Sequence, residues 1–347
     1  VNVLVTGGAG FIGSHVAAFY AGHGEHVTVL DNLSRQKLLG TSGTNALSNW
    51  RYLESLDGAT LVRGDVCDAD ILDKVCPGID LVVHCAAQTA VTTSIVRPAE
   101  DFTSNARGTF SLLEAARRHE IPAVIYCSTN KVYGDRVNRV PVVELETRYA
   151  FDEGHAAGIR EDFGVDLCEH TPYGCSKLTG DLYMQDYAHI HGVRTAVFRM
   201  SCIYGERQMG VEDQGWLAWF TIAALTGRSI TIYGDGKQVR DVLYVGDLVD
   251  LFNRFARSDV PHTVCNAGGG PKHTLSLLEL LDALEQETGR RSPVSFAPWR
   301  PSDQKVYISN VSKARDTFGW APAVGPREGV RRLIDWVGEN LTLFNDI

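Results

Sequence analysis

The chain has 347 residues, 44% of them hydrophobic and 22% charged, with a formal net charge of −9. That length holds one large or two intimate domains around a substantial core, and the acidic balance speaks against nucleic acid or a membrane surface as partner. The eight cysteines form no CxxC pair, so they read as reduced thiols and neither as a disulfide framework nor as a zinc site.

The histidines are scattered, and His189 with His191 reads as a surface pair at a helix end, so no metal centre is expected. A strand-like run opens the sequence, and no apolar run reaches about 18 residues. A cytoplasmic protein without a membrane span is the expectation.

Val1–Thr6 is a short apolar run, read as a buried strand. Gly7-Gly8-Ala9-Gly10-Phe11-Ile12-Gly13 follows, and then a helix to about Ala21. Glycines in that pattern allow a tight turn, close approach of backbone N–H groups to a pyrophosphate, and an anion at the helix N-terminus. A second strand, His26–Leu30, ends in Asp31, which suits a ribose 2′-OH and repels a 2′-phosphate. NAD is therefore expected over NADP, although Arg35 keeps an NADP reading open.

Asn32–Gly58 reads as a decorated connection with a short helix over Ala46–Leu56. A third strand, Ala59–Arg63, leads to Gly64-Asp65-Val66. Asp65 is placed to meet an adenine amino group, or else to cap a helix over Ala69–Val75. The fourth strand, Leu81–Cys85, leaves through Ala86 and Ala87, small residues that let a dinucleotide pass close to the backbone. Gln88 to Ser94 follow at the carboxyl edge of the sheet, where ligands bind. The helix expected over Glu100–His119 carries Asn105, which suits a buried tie between loops.

The fifth strand, Ala123–Cys127, ends in Ser128-Thr129-Asn130-Lys131-Val132-Tyr133-Gly134, with hydroxyls at a position that suits a substrate hydroxyl. A polar, irregular insertion is expected over Arg136–His170. Thr171-Pro172-Tyr173-Gly174-Cys175-Ser176-Lys177 then opens a helix to about His191. Tyr173 and Lys177, four residues apart, share one face of it. An ammonium beside a phenol favours the phenolate and pulls the tyrosine pKa down from about 10. Taken alone, that spacing is no more than chance supplies.

A sixth strand, Arg194–Phe198, completes a doubly wound parallel sheet. Beyond it come a polar loop (Gly205–Gly215), a helix (Trp216–Leu225), a strand (Ile230–Tyr233), a helix (Val245–Arg257), and a strand (His262–Asn266) expected to rejoin the sheet. Helices over Ser276–Thr288 and Gly329–Leu341 complete a smaller mixed lobe. The fold class is thus α/β, a Rossmann-type sheet with a mixed α/β carboxyl-terminal lobe. Residues 1–200, rejoined by 241–266, make the dinucleotide domain, and 201–240 with 267–347 make the substrate lobe.

The glycine run from Thr6 to Gly13, Asp31, Asp65-Val66, His84-x-Ala86-Ala87, Asn105, Val132-Tyr133-Gly134 and Tyr173-x-x-x-Lys177 occur in an order that resembles the extended short-chain dehydrogenase/reductase (NAD-dependent epimerase/dehydratase) family. The resemblance spans most of the chain. It implies NAD held by Gly7, Gly10, Phe11, Ile12, Gly13, Asp31, Asn32, Ser34, Arg35, Asp65, Val66, Ala86, Ala87, Gln88, Asn105, Tyr173 and Lys177. It also implies Tyr173 as the proton-transfer group, Lys177 as its electrostatic and ribose-holding partner, and Thr129 as donor to the reacting oxygen.

Two departures narrow the subclass. Dehydratases of the family carry Asp-Glu after the catalytic Thr, whereas Asn130 and Lys131 stand here, which disfavours dehydration. Cys202 replaces the Asn of common sugar epimerases. Ser128–Asp135, Ser201–Gly205, Gln208 and Glu212–Trp216 resemble the CDP-paratose 2-epimerase (CDP-tyvelose epimerase) group. So do Asp31–Arg35 and Gly234–Asp241. This likeness implies oxidation and re-reduction at C2 of a nucleotide-linked hexose, with a CDP-hexose favoured and a UDP-sugar 4-epimerase as the alternative.

Substrate candidates are Gln88, Ser94, Thr129, Asn130, Cys202, Gln214, Arg240, Arg300 and Asp303, the last two within Arg300-Pro301-Ser302-Asp303. Arg240 has the competing reading of a salt bridge with its neighbour Asp241. A homodimer or homotetramer, paired through the helices around Glu100–His119 and Gly174–His191, is also implied.

Overall fold

The computed structural model describes residues 1–35, 47–300 and 303–345. Seven strands form one parallel sheet: β1 (Asn2–Thr6), β2 (His26–Asp31), β3 (Ala59–Arg63), β4 (Leu81–His84), β5 (Ala123–Thr129), β6 (Arg194–Met200) and β7 (His262–Ala267). Their spatial order is β7-β6-β5-β4-β1-β2-β3. Short β-branched runs such as Val3-Leu4-Val5 and Leu81-Val82-Val83 are buried because both sheet faces are covered by helices. β5 is buried along all seven residues.

One core layer joins Val3, Val5, Val16, Phe198, Leu248 and Phe252, and the other joins Leu4, Val82, Leu112, Tyr126, Met184 and Val197. Alternation of Leu4 with Val3 and Val5 divides one strand between the two layers. Each such side chain contributes about 1.5–3 kcal/mol of burial before ordering costs are subtracted.

The strand order reverses between β1 and β4, and the crevice of a doubly wound sheet opens there. Gly7 sits at that point with φ +66°, and a Cβ on it would stand 2.5 Å from Ala86 N. A Cβ on Gly13 would stand 2.7 Å from Gly8 Cα. These two glycines let the helix Phe11–Gly22 start directly under the crevice.

The expected helix at Glu100–His119 is three pieces, Pro98–Phe102, a π turn Thr103–Arg107, and Gly108–Arg118. The helix carrying Tyr173 runs Pro172–His191, with Pro at its first turn, Thr171 Oγ1 accepting Gly174 N–H at 3.3 Å, and Gly192 left-handed at its end. Strand β7 pairs with β6 in parallel from His262↔Thr195 to Ala267↔Met200, so a late strand closes the early sheet.

Several expectations needed correction. The Arg136–His170 insertion holds a hairpin of Val142–Glu144 with Tyr149–Phe151. Cys202–Tyr204 is a strand on Val242–Tyr244. Val294–Ala297 pairs with Ile230–Tyr233, and Ser312–Phe318 is a helix that the pattern did not signal. The helix near Ala46–Leu56 is Ser48–Glu54, while Ala46, Pro301 and Ser302 lie outside the described residues. No described helix is long and apolar enough to cross a membrane.

Candidate active site

A cleft with a cavity volume of about 340 Å³ follows the carboxyl ends of β1, β2, β4 and β5. Every cofactor candidate named from sequence lines it except Asn105. The helix Phe11–Gly22 meets it with Gly10 at the cap and no acidic side chain in its first turn. Its first-turn N–H groups have no partner within the helix, which suits a pyrophosphate. Asp31 stands at the end of β2, accepting Ala9 N–H at 3.0 Å and Leu33 N–H at 2.8 Å. Burial raises its pKa, while those two bonds oppose the rise.

Two side chains near the strand end are already engaged. Arg35 Nη2 donates to Met209 O at 2.6 Å, which turns its fork toward the 205–215 loop and leaves the strand end to Asp31. A 2′-phosphate finds no welcome there, and the NADP reading loses its support. Asn32 Nδ2 donates to Asp65 Oδ2 at 2.8 Å, and Asp65 Oδ1 accepts Cys67 N–H at 2.8 Å. Backbone walls, a free helix terminus and an acid at the strand end fit a dinucleotide with an unsubstituted ribose.

Asn105 lies behind the cleft and ties its walls together. Its Oδ1 accepts Gln88 N–H at 2.8 Å, and its Nδ2 reaches Gln88 O, Asp101 Oδ1 and Ser176 Oγ at 2.9, 3.2 and 3.0 Å. Gln88, expected to face a ligand, spends its side chain here too, donating to Ala90 O and Asp101 Oδ1 at 2.9 Å each. Ser176 Oγ donates to Asp101 Oδ2 at 2.6 Å. The π turn supplies Asn105 to this network. Sequence reasoning missed Asp101, whose single signal was a carboxylate inside an otherwise amphipathic helix.

Thr129, Tyr173 and Lys177 meet at the sheet end of the cleft. Burial pushes the Tyr173 phenol up to about 12, and a hydrogen bond with the Thr129 hydroxyl works against that. The downward pull expected from Lys177 does not act on it, and the remaining influences, Asp101 and Cys127, raise it further. Desolvation wins because Tyr173 is only 9% exposed. Burial in turn draws the Lys177 ammonium down to about 8. That ammonium lies 4.1 Å from the centroid of the Tyr126 ring, whose hydroxyl donates to Lys177 O at 3.2 Å. Cys85 and Cys127 stand beside it, their sulfurs 3.5 Å apart and both thiols free.

The substrate candidates divide into groups. Thr129 Oγ1 donates to Asn130 Oδ1 at 3.3 Å, placing Asn130 against the reacting end. Ser94 is turned inward, its hydroxyl accepting Tyr173 N–H at 3.2 Å. Arg240 pairs with Asp303 at 2.7 Å and donates to Gln304 O at 2.6 Å. Asp241, the partner in its competing reading, is instead buried against Ser201 and Gly270. Cys202 Sγ accepts Trp216 Nε1 at 3.5 Å, and burial raises its thiol pKa.

Arg300 stacks 3.9 Å from the Tyr233 ring and pairs with Asp213 at 2.6 Å. Gln214 donates to Thr89, so the 205–215 loop bridges the cleft from the small lobe to the sheet. His15 bonds Glu206 O at 2.7 Å and Asn49 Nδ2 donates to Arg207 O at 3.2 Å along the same loop.

Residues 3–268 match the NAD dependent epimerase/dehydratase family. The chain is 39% identical to the CDP-paratose 2-epimerase of Salmonella typhi, over 97% of this chain and 99% of that protein. It is 31% identical to a putative UDP-glucose 4-epimerase of Methanocaldococcus jannaschii, over 97% of this chain and 99% of that one. Among solved structures, the UDP-glucose 4-epimerase of Thermus thermophilus in complex with NAD superposes with a TM-score of 0.80. The match covers 100% of both chains at 28% identity.

Proposed function

The chain belongs to the NAD dependent epimerase/dehydratase family, and within it we propose that it is a nucleotide-sugar 2-epimerase acting on a CDP-linked hexose of the paratose/tyvelose type. The observation that carries the epimerase part of this reading is the pair Asn130-Lys131 directly after Thr129, a residue that lines the cleft. Dehydratases of the family carry a carboxyl pair at those two positions, and an amide with a lysine cannot serve as that pair. The 39% likeness to a CDP-paratose 2-epimerase supports the choice of carbon and nucleotide.

Bound NAD supplies the hydride acceptor and donor for a transient keto-sugar. Tyr173, as the phenolate, takes the sugar hydroxyl proton to become the phenol and later gives it back to the sugar oxygen, with its own oxygen held by Thr129. Lys177, steadied over Tyr126, contributes positive charge beside the phenol and a donor for the nicotinamide ribose. Thr129 and Asn130 orient the reacting oxygen, and Arg240 with Arg300 receives the diphosphate as Asp303 and Asp213 yield their guanidinium partners.

The sugar lies between residues 1–200 with 241–266 on one side and 201–240 with 267–347 on the other. Two chains associate through the faces carrying exposed Phe102, Phe110, Leu182 and Tyr183; a strict monomer in light scattering contradicts that pairing.

The test is incubation with CDP-, GDP- and UDP-hexoses and NMR of the sugar product. Inversion at C2 of a CDP-hexose is expected. The second reading, a UDP-sugar 4-epimerase, draws on the likeness to proteins bearing that name; inversion at C4 with C2 unchanged would select it. Stoichiometric NADH release indicates a net dehydrogenase, and binding of NAD without turnover indicates a scaffold.

A further inference from the structure

Lys131 has no part in the chemistry assigned above, yet its place is tightly specified. It lies in the 3₁₀ stretch Asn130–Arg139, two residues past the end of β5. Its N–H donates to Thr129 Oγ1 at 3.2 Å. Its carbonyl abuts the first turn of the Tyr173 helix, since a Cβ on Gly174 would stand 2.9 Å from Lys131 O. The main chain of Lys131 is thus wedged between Thr129 and Tyr173.

The side chain is half-buried, and its ammonium has no hydrogen bond or ion pair among the described residues. The groups acting on it are Arg240, Asp303 and Cys202, with burial and the guanidinium both disfavouring its charge. Asp303 is the one carboxylate of that set, and it is committed to Arg240 at 2.7 Å. Two cations thus share one carboxylate in a partly desolvated corner. Such an arrangement is costly unless a ligand brings further negative oxygens.

A nucleotide hexose brings them in a definite place. The glycosyl phosphate hangs on C1, so it lies only a few bonds from the C2 hydroxyl, while the C4 hydroxyl lies across the ring. A lysine whose main chain is wedged between Thr129 and Tyr173, and whose ammonium is felt by Arg240 and Asp303, spans the short separation. We propose that Lys131 binds the glycosyl-phosphate end of the nucleotide sugar and so sets the carbon beside the anomeric centre in front of Thr129 and Tyr173. This inference rests on the 2-epimerase reading and adds to it the residue that selects the carbon.

The test compares the full chain with Lys131→Met, Lys131→Gln and Lys131→Arg. Calorimetry with CDP-glucose and with CDP reads binding, NAD content reports an intact cofactor domain, and NMR reports the carbon inverted by the wild type. Lys131→Met and Lys131→Gln should weaken both CDP-glucose and CDP at least about tenfold with NAD content unchanged, and Lys131→Arg should recover most of the loss. Affinity within about twofold of wild type in either neutral variant that retains NAD overturns the proposal. Wild-type inversion at C4 with weakened binding in Lys131→Met would overturn the 2-epimerase reading and carbon selection, leaving the phosphate contact standing. A wild type that binds neither CDP-glucose nor CDP overturns both.

Discussion

The hydroxyl of Ser94 accepts the backbone N–H of Tyr173 at 3.2 Å, a contact across 79 residues of chain. Ser94 thereby pins the first turn of the helix that presents the phenol, together with the Thr171 cap. Removing that acceptor leaves a buried N–H unpaired and lets the turn move. Ser94→Ala should therefore lower kcat roughly two- to tenfold, with little change in NAD affinity. A change confined to KM for the nucleotide sugar would instead make Ser94 a substrate contact.

Tyr173→Phe retains the ring and its burial while deleting the transferable proton. Turnover should fall at least about 100-fold, with bound NAD retained. Single-turnover spectroscopy at the nicotinamide band checks this, and normal rates would remove Tyr173 from the chemistry.

Lys177 titrates at about 8 in the folded chain against an ordinary lysine value of 10.5. Between those values the unfolded chain binds more protons at this group, so its contribution to stability rises with pH. At pH 7 the buried ammonium costs on the order of 3 kcal/mol relative to a neutral side chain. Lys177→Met should accordingly be favoured most at and below pH 8, its advantage shrinking as pH approaches 10. Urea unfolding across that range, without added nucleotide, measures it; a gap constant with pH would contradict the assignment.

Asp31 joins two loops by accepting Ala9 N–H and Leu33 N–H. Asp31→Ala removes a charged acceptor from both and the expected ribose partner as well. A loss of about 2–4 kcal/mol in stability and at least about tenfold in NAD affinity should follow. Discrimination against NADP should fall with it, as fluorescence titration of both nucleotides will show.

Asp181 and Arg199 form a buried pair at 2.9 Å, and Asp181 also accepts the Ser128 hydroxyl at 2.8 Å. Asp181→Leu alone leaves a guanidinium uncompensated and should cost about 3–5 kcal/mol. Adding Arg199→Met should return much of that in denaturant titrations, and a purely additive double variant would argue against coupling.

The cleft lining proposed for the cofactor could be named from sequence because the geometry it needs is local. Gly7 to Gly13 and Asp31 act through turns and strand ends that neighbouring residues already specify. The residues proposed for the substrate have partners distant in sequence, and no local pattern announces them. Arg240 is followed by Asp241 yet pairs with Asp303, because successive residues on a strand point to opposite faces. Gln88 and Ser94 carried polar side chains into an edge where ligands bind, but both were turned inward by Asn105, Asp101 and Tyr173. The hairpin strand Val142–Glu144 is exposed along its length, and its partner Tyr149–Phe151 is only three residues long, too short for an alternation to read. The Tyr173 pKa missed for the same reason: spacing shows the ammonium nearby, while desolvation depends on everything packed around the ring.

Strand β7 enters the sheet only after the chain has passed through residue 267, although its neighbour β6 is complete at Met200. At a synthesis rate of about 5–20 residues per second, the 67 residues from 201 to 267 take roughly 3–13 seconds to emerge. Throughout that interval β6 offers an unpaired apolar edge to whatever is near. A nascent chain at this stage is a natural client for a holdase, and slowing its translation between positions 200 and 267 should raise aggregation without altering one residue of the finished enzyme.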